Sequence, residues 1–262
     1  MNGRVAVVGG HGKTGRAVSS ALAARGACPV PLGRADWSSL AGALAGCRTA
    51  YVIAPNMHPD EATYVADVAA AATAAGVRRL VLHSVASPYA PAMPHHVGKA
   101  RAEDVVRRSG LAWTILQPGA YVQNLLPTGP SLRLAYRADA PFGLADLDDL
   151  GEAAATVLLE EGHDGATYEL ASFAATVADV AAAARSRVEV VSPATWARTD
   201  GAGLDPRVRE WLLAMFAYYE RHGLPVGTLP MRAVLGRAPT TLEALARRWA
   251  AEEHGSGADS TR

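Results

Sequence analysis

The chain contains few of the residues that build metal sites, disulfides or nucleic-acid-binding surfaces. Its 262 residues include two cysteines, Cys28 and Cys47, which lack the short spacing of a zinc or redox motif. No His-x-x-x-His arrangement occurs either, so we expect no metal and interpret both cysteines as buried small hydrophobic residues. Lysine plus arginine equals aspartate plus glutamate, at 25 each, which leaves no basic field to hold nucleic acid.

Long apolar runs and an N-terminal targeting pattern are also missing. Half of the residues are hydrophobic, but no run reaches the roughly 20 residues of a membrane-spanning helix. The chain enters a predicted strand at once, so we expect no signal peptide. These features predict a cytoplasmic protein that binds a small-molecule substrate, has no nucleic-acid or membrane partner, and is a monomer or homodimer.

A glycine-rich turn between an apolar strand and a helix is the most informative feature that is present. The β-branched run Val5–Val8 is followed by Gly9, Gly12 and Gly15 at the spacing Gly-x-x-Gly-x-x-Gly. Glycines at such a turn let the backbone approach a pyrophosphate, and the helix that follows presents free N–H groups and the positive end of its dipole. The pattern predicts a dinucleotide-binding loop.

Lys13 and Thr14 lie inside this loop and are further candidates for phosphate contacts. Together with Gly12 they resemble the end of a P-loop. However, a P-loop requires a glycine where this chain has Val7, so we exclude nucleotide triphosphate hydrolysis.

Strand-like and helix-like segments alternate along the first half of the chain. The predicted strands are Val5–Val8, Ala27–Leu32, Thr49–Ala54, Arg79–His83 and Trp113–Leu116, and the predicted helices are Gly15–Arg25, Ser38–Ala45, Pro59–Ala75 and Lys99–Ser109. This order predicts an α/β fold of the Rossmann type, a doubly wound parallel sheet with helices on both faces. Pro29 and Pro31 remove ladder donors, so their strand should be short, distorted or near an edge.

The pattern loosens after about Ala120 and predicts a smaller second region. Its predicted elements are the helix Leu150–Leu159, the strand Ala166–Leu170, the helix Thr176–Ala184, the strand Arg187–Val191, the helix Pro206–His222 and a last helix that ends at Trp249. We expect a dinucleotide-binding domain over residues 1–150, completed by parts of 151–192. Residues 151–251 should form a small α+β region that covers the substrate, and residues 252–262 a flexible tail.

Several segments together resemble the NmrA-like atypical short-chain dehydrogenases/reductases. The resemblance covers most of the chain and rests on the order and spacing of its motifs. They are Gly9–Gly15, Ala75–Val81 with Ser84, His96 with Lys99 and Glu103, Ser109–Gly119 with Asn124, and Leu235–Thr240. It implies a Rossmann domain, a small substrate-covering region and bound NADP(H) or NAD(H). It leaves activity open, because the family includes reductases of quinones, imines and phenylpropanoids and also redox-sensing regulators without catalysis.

The resemblance also suggests the catalytic candidates. Reductases of the wider superfamily carry Tyr-x-x-x-Lys where this chain has His95 and Lys99. Lys99 could bind the nicotinamide ribose or stabilise a substrate oxyanion, and His95 could relay a proton near neutral pH. The alternative is that His95 and His96 are exposed loop residues and Lys99 is a solvated first-turn residue.

Other candidates follow from the rule that ligands of open α/β sheets bind beyond the carboxyl ends of the strands. Ser84 could hydrogen-bond a substrate oxygen, and Tyr121 is a candidate acid or base. Pro55 and Asn56 should pass the middle of the cofactor. The residues expected to line the substrate side are Tyr89, Gln123 and Asn124.

The segment Leu32–Trp37 departs from the family, which has a longer loop and a third strand at this point. Arg34 stands where a 2′-phosphate would bind, so NADP is the expected cofactor, with NAD as an alternative, and Asp36 could approach the adenine. The short loop predicts that the third strand is missing or fused, which would leave the adenosine half of the site shallow or open.

Three functions therefore remain open at this stage. The first is an NADP(H)-dependent oxidoreductase of secondary metabolism acting on a small, largely apolar carbonyl, quinone or imine. The second is an enzyme without a cofactor, a cyclase, isomerase or dehydratase, in which His95, Lys99 and Tyr121 form an acid–base set. The third is a non-catalytic sensor of NAD(P).

Overall fold

The computed structural model describes residues 3–126 and 131–257, with side chains up to residue 251. The strands are β1 (Arg4–Val8), β2 (Cys28–Leu32), β3 (Cys47–Val52), β4 (Arg79–His83), β5 (Ala112–Pro118), β6 (Ala120–Tyr121), β7 (Leu132–Leu134), β8 (Pro141–Ala145), β9 (Ala166–Leu170), β10 (Phe173–Thr176) and β11 (Val188–Val190). The helices are α1 (Lys13–Ala24), α2 (Leu40–Leu44), α3 (Glu61–Ala74), α4 (Pro94–Arg107), α5 (Leu147–Leu159), α6 (Val177–Ala183), α7 (Pro193–Arg198), α8 (Pro206–His222), α9 (Leu229–Leu235) and α10 (Leu242–Gly257).

A parallel sheet of six strands forms the centre, in the order β2-β1-β3-β4-β5-β9. The inner strands β1, β3, β4 and β5 are short, largely apolar runs that are mostly buried, as strands covered on both faces require. One apolar cluster includes residues of α1, α5 and α9 on one face, and a second includes residues of α2, α3 and α4 on the other. The predicted doubly wound Rossmann-type fold is confirmed.

The strand with two prolines is at the edge of the sheet, as predicted. β2 pairs with β1 through all five of its residues, and within the described residues no strand pairs with its other side. The additional strand that was expected from the family, between β2 and the helix that follows it, is therefore missing here. It is not the strand labelled β3. A 3₁₀ helix (Arg34–Ser39) and the short helix α2 follow β2 directly, in place of the single helix predicted over 38–45.

The edge position also corrects the interpretation of the cysteines. Cys47 on β3 is buried, but Cys28 begins the edge strand and is exposed. Neither takes part in a disulfide.

Helix α4 begins five residues earlier than predicted, at Pro94 rather than at Lys99. Proline suits the first position of a helix, because no helical partner is needed there. His95 and His96 therefore lie in the first turn of α4 and are buried, so the alternative of exposed loop histidines is wrong.

The C-terminal region packs over the carboxyl edge of the sheet. A small sheet of β10, β8 and β6 forms a third apolar cluster with residues of α6, α8 and α10. The segment before α10 is fixed to α5, because Arg237 and the backbone N–H of Thr240 both donate to the buried carboxylate of Asp149, at 2.9 and 2.7 Å.

Helix α10 runs to Gly257, beyond the end predicted at Trp249. The segment 252–262, predicted to be a flexible tail, is helical as far as Gly257, and its remaining residues, 258–262, lie outside the described residues.

The close approach of α1 and α5 at Gly151 gives a test of the fold. A Cβ atom at this position would lie 2.8 Å from the carbonyl oxygen of Ala17. We expect Gly151→Ala to lower the free energy of unfolding by about 1–3 kcal/mol, because the backbones must move apart. Urea denaturation measures this change.

Gly42→Ala is the matched control, since it lies in a helix with nothing within 4 Å of the added atom. It should leave the stability unchanged or raise it by about 0.5–1 kcal/mol. Equal stability of the two variants would contradict the packing of α1 on α5.

Candidate active site

A large cleft opens at the carboxyl ends of β1, β3, β4 and β5. Its volume is about 1370 Å³, above the range of roughly 300–1,000 Å³ typical of small-molecule sites. Most of the predicted site residues line it: Gly9, Gly12, Lys13, Thr14, Gly15, Arg34, Pro55, Asn56, Ser84, His95, Lys99, Tyr121 and Asn124. The cleft is therefore large enough for a dinucleotide together with a second small molecule.

The glycine loop forms one wall of the cleft and fits a phosphate group. Gly12 precedes α1, no side chain caps this helix, and its first turn contains no acidic residue. The N–H groups of the first turn have no helical partners and are therefore free for an anion. A Cβ atom on Gly15 would lie 2.6 Å from the Cα of Gly10, so only glycine keeps the loop closed on the helix.

Arg34 and Trp37 line the open end of the cleft next to the sheet edge. Arg34 is exposed and makes no ion pair within the described residues. Trp37 stacks on Tyr64, with ring centroids 4.5 Å apart and planes inclined by 23°. This end thus offers a free guanidinium group beside an aromatic surface.

Three predicted site residues are placed elsewhere by the structure. The carboxylate of Asp36 accepts the backbone N–H of Gly33 at 2.8 Å and does not line the cleft. Gln123 donates to the buried Asp146 at 2.5 Å. Tyr89 is 65% exposed and outside the cleft, where its hydroxyl accepts from Arg107.

Lys99 forms a buried ion pair with Glu61 at the floor of the cleft. The Nζ atom lies 2.7 Å from Oε1 of Glu61, and the two residues are 8% and 2% exposed. Oε2 of Glu61 has no hydrogen-bond partner within the described residues. Removing one member of a buried pair leaves the other charge uncompensated, so each residue of this pair compensates the charge of the other. Sequence reasoning missed Glu61, which had the appearance of an ordinary first-turn acid.

His95 lies one helical turn before Lys99 and stacks on Trp211 of α8, with centroids 6.1 Å apart. Burial, followed by the charge of Lys99 and the neighbouring His96, lowers the pKa of His95 to about 3. The imidazole is therefore neutral near pH 7, and the expected role as a proton relay at neutral pH does not fit this environment. It can still donate or accept a hydrogen bond.

His96 is directed to the loop after β4. Its Nδ1 lies 3.0 Å from the carbonyl oxygen of Ala86, so Nδ1 carries the proton, while Nε2 has no partner within the described residues. Burial lowers its pKa to about 4, although the carbonyl contacts oppose this. This histidine is also neutral.

Ser84 lines the cleft, but its hydroxyl proton is already used. Ser84 donates to Oε1 of the buried Glu103 at 2.5 Å, and Gln117 donates to the same oxygen at 2.7 Å. Arg107 donates to the other carboxylate oxygen at 3.1 Å. Ser84 can thus accept a hydrogen bond from a substrate. It is not free to donate one to a substrate oxygen, which was its expected role.

Tyr121 is joined to two residues that sequence reasoning missed. Its hydroxyl contacts Nε2 of His83, and Nδ1 of His83 lies 2.6 Å from the hydroxyl of Tyr51. Burial, followed by the charge of Lys99, lowers the pKa of His83 to about 3. His83 is the last residue of β4, so the rule on strand ends could have identified it.

The wall opposite the sheet is apolar and comes from the C-terminal region. Its side chains belong to β7, β8, α8 and the loops around them: Leu132, Leu134, Tyr136, Phe142, Leu212, Met215, Phe216, Tyr219 and Leu224. Arg133 also reaches this wall, but its charge is balanced by Glu189 and Asp200, at 3.2 and 2.9 Å. We refer to this apolar part of the cleft as the apolar chamber.

A family described as NAD(P)H-binding matches residues 27–161, just over half of the chain. The chain belongs to this family. It is an NmrA-like atypical short-chain dehydrogenase/reductase.

Within the described residues there is no cluster that could hold a metal ion, and no helix combines the length and hydropathy needed to cross a bilayer.

Characterised relatives of this NmrA-like protein are reductases by name. It is 33% identical over 161 residues to a (4-alkanoyl-5-oxo-2,5-dihydrofuran-3-yl)methyl phosphate reductase of Streptomyces griseus, covering 58% of this chain and 56% of that protein. It is 31% identical over 164 residues to quinone oxidoreductase 2 of Escherichia coli, covering 59% and 56%. The chain spans about half the length of the curated relatives it matches.

Solved structures agree with the fold. The NADPH complex of an Escherichia coli quinone oxidoreductase has a TM-score of 0.77 at 24% identity, covering 93% of this chain and 99% of the other. Triphenylmethane reductase of Citrobacter sp., complexed with NADP(H), has a TM-score of 0.76 at 20% identity, covering 94% and 99%. At these identities the likeness establishes the fold alone.

The three buried histidines predict a loss of stability in mild acid. His83, His95 and His96 have native pKa values of about 3, 3 and 4, below the value of about 6.5 in an unfolded chain. At pH values between the native and the unfolded pKa, these histidines bind protons in the unfolded chain but not in the native protein. The free energy of unfolding therefore decreases as the pH falls through this range. Each histidine contributes up to about 1.4 kcal/mol per pH unit.

Urea denaturation at several pH values checks this expectation. The midpoint should be nearly constant above about pH 7 and should fall steeply between about pH 6 and pH 5. His95→Gln should remove about a third of the slope. A urea midpoint that stays constant down to about pH 5 would contradict the low native pKa values. It would mean that the histidines bind protons equally well in the native and the unfolded state.

Proposed function

We propose that the protein is an NADP(H)-dependent oxidoreductase that reduces a small, largely apolar carbonyl, quinone or imine compound. The observation that carries this proposal is one continuous cleft with a glycine loop and an unpaired Arg34 on one side and the apolar chamber on the other. The names of the matched relatives, a quinone oxidoreductase, an azoreductase and a furanone phosphate reductase, support the same reaction class.

The residues of the glycine loop would hold the pyrophosphate of the cofactor. Gly9, Gly12 and Gly15 allow the close approach, and the first turn of α1 supplies N–H donors. Lys13 lies at the same place, with its Nζ 3.2 Å from Oδ1 of Asn124, and would balance the phosphate charge. Pro55 and Asn56, in the loop after β3, would line the middle of the cofactor.

Arg34 favours NADP over NAD. It follows the carboxyl end of β2, where cofactors of this fold place the adenosine ribose, and it forms no ion pair within the described residues. A guanidinium group matches the geometry of a phosphate and can bind it through two parallel hydrogen bonds. The missing outer strand leaves this end open, so Arg34 would supply most of the specificity.

The cofactor, when bound, supplies the hydride for the reaction. The ammonium of Lys99, held in place by Glu61, would hydrogen-bond a ribose hydroxyl or the oxygen of the substrate and favour negative charge there. His95 stays neutral and would orient the substrate together with Trp211. The apolar chamber would exclude water from the reacting atoms.

The two free cysteines are compatible with a reducing compartment. We therefore include a cytoplasmic location in the proposal.

Titration with NADPH and NADH by calorimetry is the first test. We expect Arg34→Ala to weaken NADPH binding about 10- to 100-fold, because a charge-assisted contact to the 2′-phosphate is lost, and to change NADH binding little. Arg48→Ala is the matched control, since Arg48 is exposed on β3 outside the cleft.

Failure of the wild-type protein to bind either nucleotide would overturn the proposal. The short segment after β2 would then have disabled the dinucleotide site, and an enzyme without a cofactor would become the leading interpretation.

A panel of quinones tests the substrate side. The only arginine at the apolar chamber among the described residues, Arg133, is already paired with Glu189 and Asp200. A sulfonate or carboxylate group on the substrate would therefore be desolvated without compensation. We expect neutral quinones to have kcat/KM values at least about 10-fold above those of their sulfonated analogues, measured by NADPH oxidation. Equal values would contradict the apolar chamber as the substrate site.

A further inference from the structure

Tyr51, His83 and Tyr121 form a hydrogen-bonded row from the interior of the sheet to the cleft. Tyr51 on β3 is fully buried, and its hydroxyl lies 2.6 Å from Nδ1 of His83. Nε2 of His83 contacts the hydroxyl of Tyr121. Tyr121 lines the cleft and lies within hydrogen-bonding reach of Thr14 in the first turn of α1. The row thus ends at the glycine loop.

All three members of the row are neutral near pH 7. Burial lowers the pKa of His83 to about 3, and the charge of Lys99 lowers it further in the same direction. Burial also raises the pKa of both tyrosines above the ordinary value. Each tyrosine therefore keeps its hydroxyl proton, and the neutral imidazole carries one N–H. Three protons are available for two hydrogen bonds, so one proton must find an acceptor outside the row.

Two arrangements of these protons are possible. In the first, Tyr51 donates to Nδ1, the N–H at Nε2 donates to Tyr121, and Tyr121 directs its proton to the cleft. In the second, Tyr121 donates to Nε2, the N–H at Nδ1 donates to Tyr51, and the proton of Tyr51 needs an acceptor in the interior. Among the described residues, the hydroxyl of Tyr51 has no hydrogen-bond partner besides His83.

The first arrangement is favoured because an unpaired buried donor is costly. We propose that Tyr121 is a hydrogen-bond donor to an acceptor oxygen of the bound ligand, and that Tyr51 and His83 are positioning residues that fix this direction. The identity of the ligand rests on the proposed function: the acceptor is a pyrophosphate oxygen of the dinucleotide or the oxygen of the substrate. The contact is a hydrogen bond and requires no proton transfer.

The tautomer of His83 in the protein without ligand tests the direction of the row. Nitrogen-15 spectra of the histidine rings distinguish a protonated from an unprotonated nitrogen, and a His83→Asn variant assigns the signals. We expect the proton on Nε2 and a bare Nδ1. A proton on Nδ1 would overturn the proposal whatever the binding experiments show. This measurement needs no cofactor, so it is independent of the proposed function.

A double-mutant cycle tests the role of Tyr51. Calorimetry with NADP⁺ is run on the wild type, Tyr51→Phe, Tyr121→Phe and the double variant. We expect Tyr121→Phe to weaken binding about 10-fold and Tyr51→Phe about 3-fold. In the Tyr121→Phe background, Tyr51→Phe should have no further effect, because its influence passes through the hydroxyl of Tyr121. An equal effect in both backgrounds would mean that Tyr51 is merely structural and would overturn its positioning role.

Tyr168→Phe is the matched control. Tyr168 also hydrogen-bonds a histidine, His163, at 2.9 Å, but this pair lies outside the cleft. The variant should bind NADP⁺ like the wild type.

The same cycle identifies the source of the acceptor oxygen. If the oxygen belongs to the substrate, all four proteins bind NADP⁺ with the same affinity. The effects expected of the double-mutant cycle then appear in kcat/KM for a neutral quinone. If Tyr121→Phe changes neither quantity, the proposal is wrong. If the wild type binds no nucleotide, the proposed function fails while the tautomer of His83 still decides the direction of the row.

Discussion

One buried ammonium group, that of Lys99, sets the electrostatics of the cleft. It lies among three buried histidines and favours the neutral form of each, in the same direction as burial. A charge in such surroundings needs compensation, and Glu61 provides it from the first turn of α3. Helices α3 and α4 must therefore keep their mutual position for the site to exist.

The pairing with Glu61 leaves Lys99 only partly available to a ligand. Oε2 of Glu61 lacks a partner within the described residues, so the pair retains capacity for a further donor such as a hydroxyl group. The neutral histidines beside it can take part in directed hydrogen bonds without adding charge. The floor of the cleft thus combines the paired ammonium of Lys99 with several uncharged polar groups, beside a large apolar surface.

The fold and the position of the glycine loop at the cleft could be predicted from sequence because they depend on local patterns. The glycine spacing, the alternation of strands and helices and the two prolines of β2 each act within a few residues. The prediction for α4 failed where a local signal has two meanings, since the proline at position 94 is typical of both a loop and a helix start.

The polar contacts of the site could not be predicted, because they depend on register between distant segments. Tyr51 contacts His83 because β3 and β4 are neighbours with Tyr51 opposite Val81. His83 is two residues further along β4 and therefore lies on the same face of the sheet. Glu61 meets Lys99 only through the packing of α3 on α4. Asp36, conversely, was expected at the adenine, and its carboxylate instead caps the local turn at Gly33. Short acidic side chains often bond to a neighbouring backbone group in this way.

The loss of the outer strand leaves β2 as a free edge, where unpaired backbone groups could attract a strand of another molecule. The N–H of Cys28 donates toward β1, to the carbonyl oxygen of Gly3. In a strand the N–H groups alternate in direction, so those of residues 29 and 31 would face outward. Both are prolines and have no N–H. This edge therefore presents carbonyl oxygens without matching donors at these positions, which hinders aggregation by strand addition and allows the sheet to end one strand early.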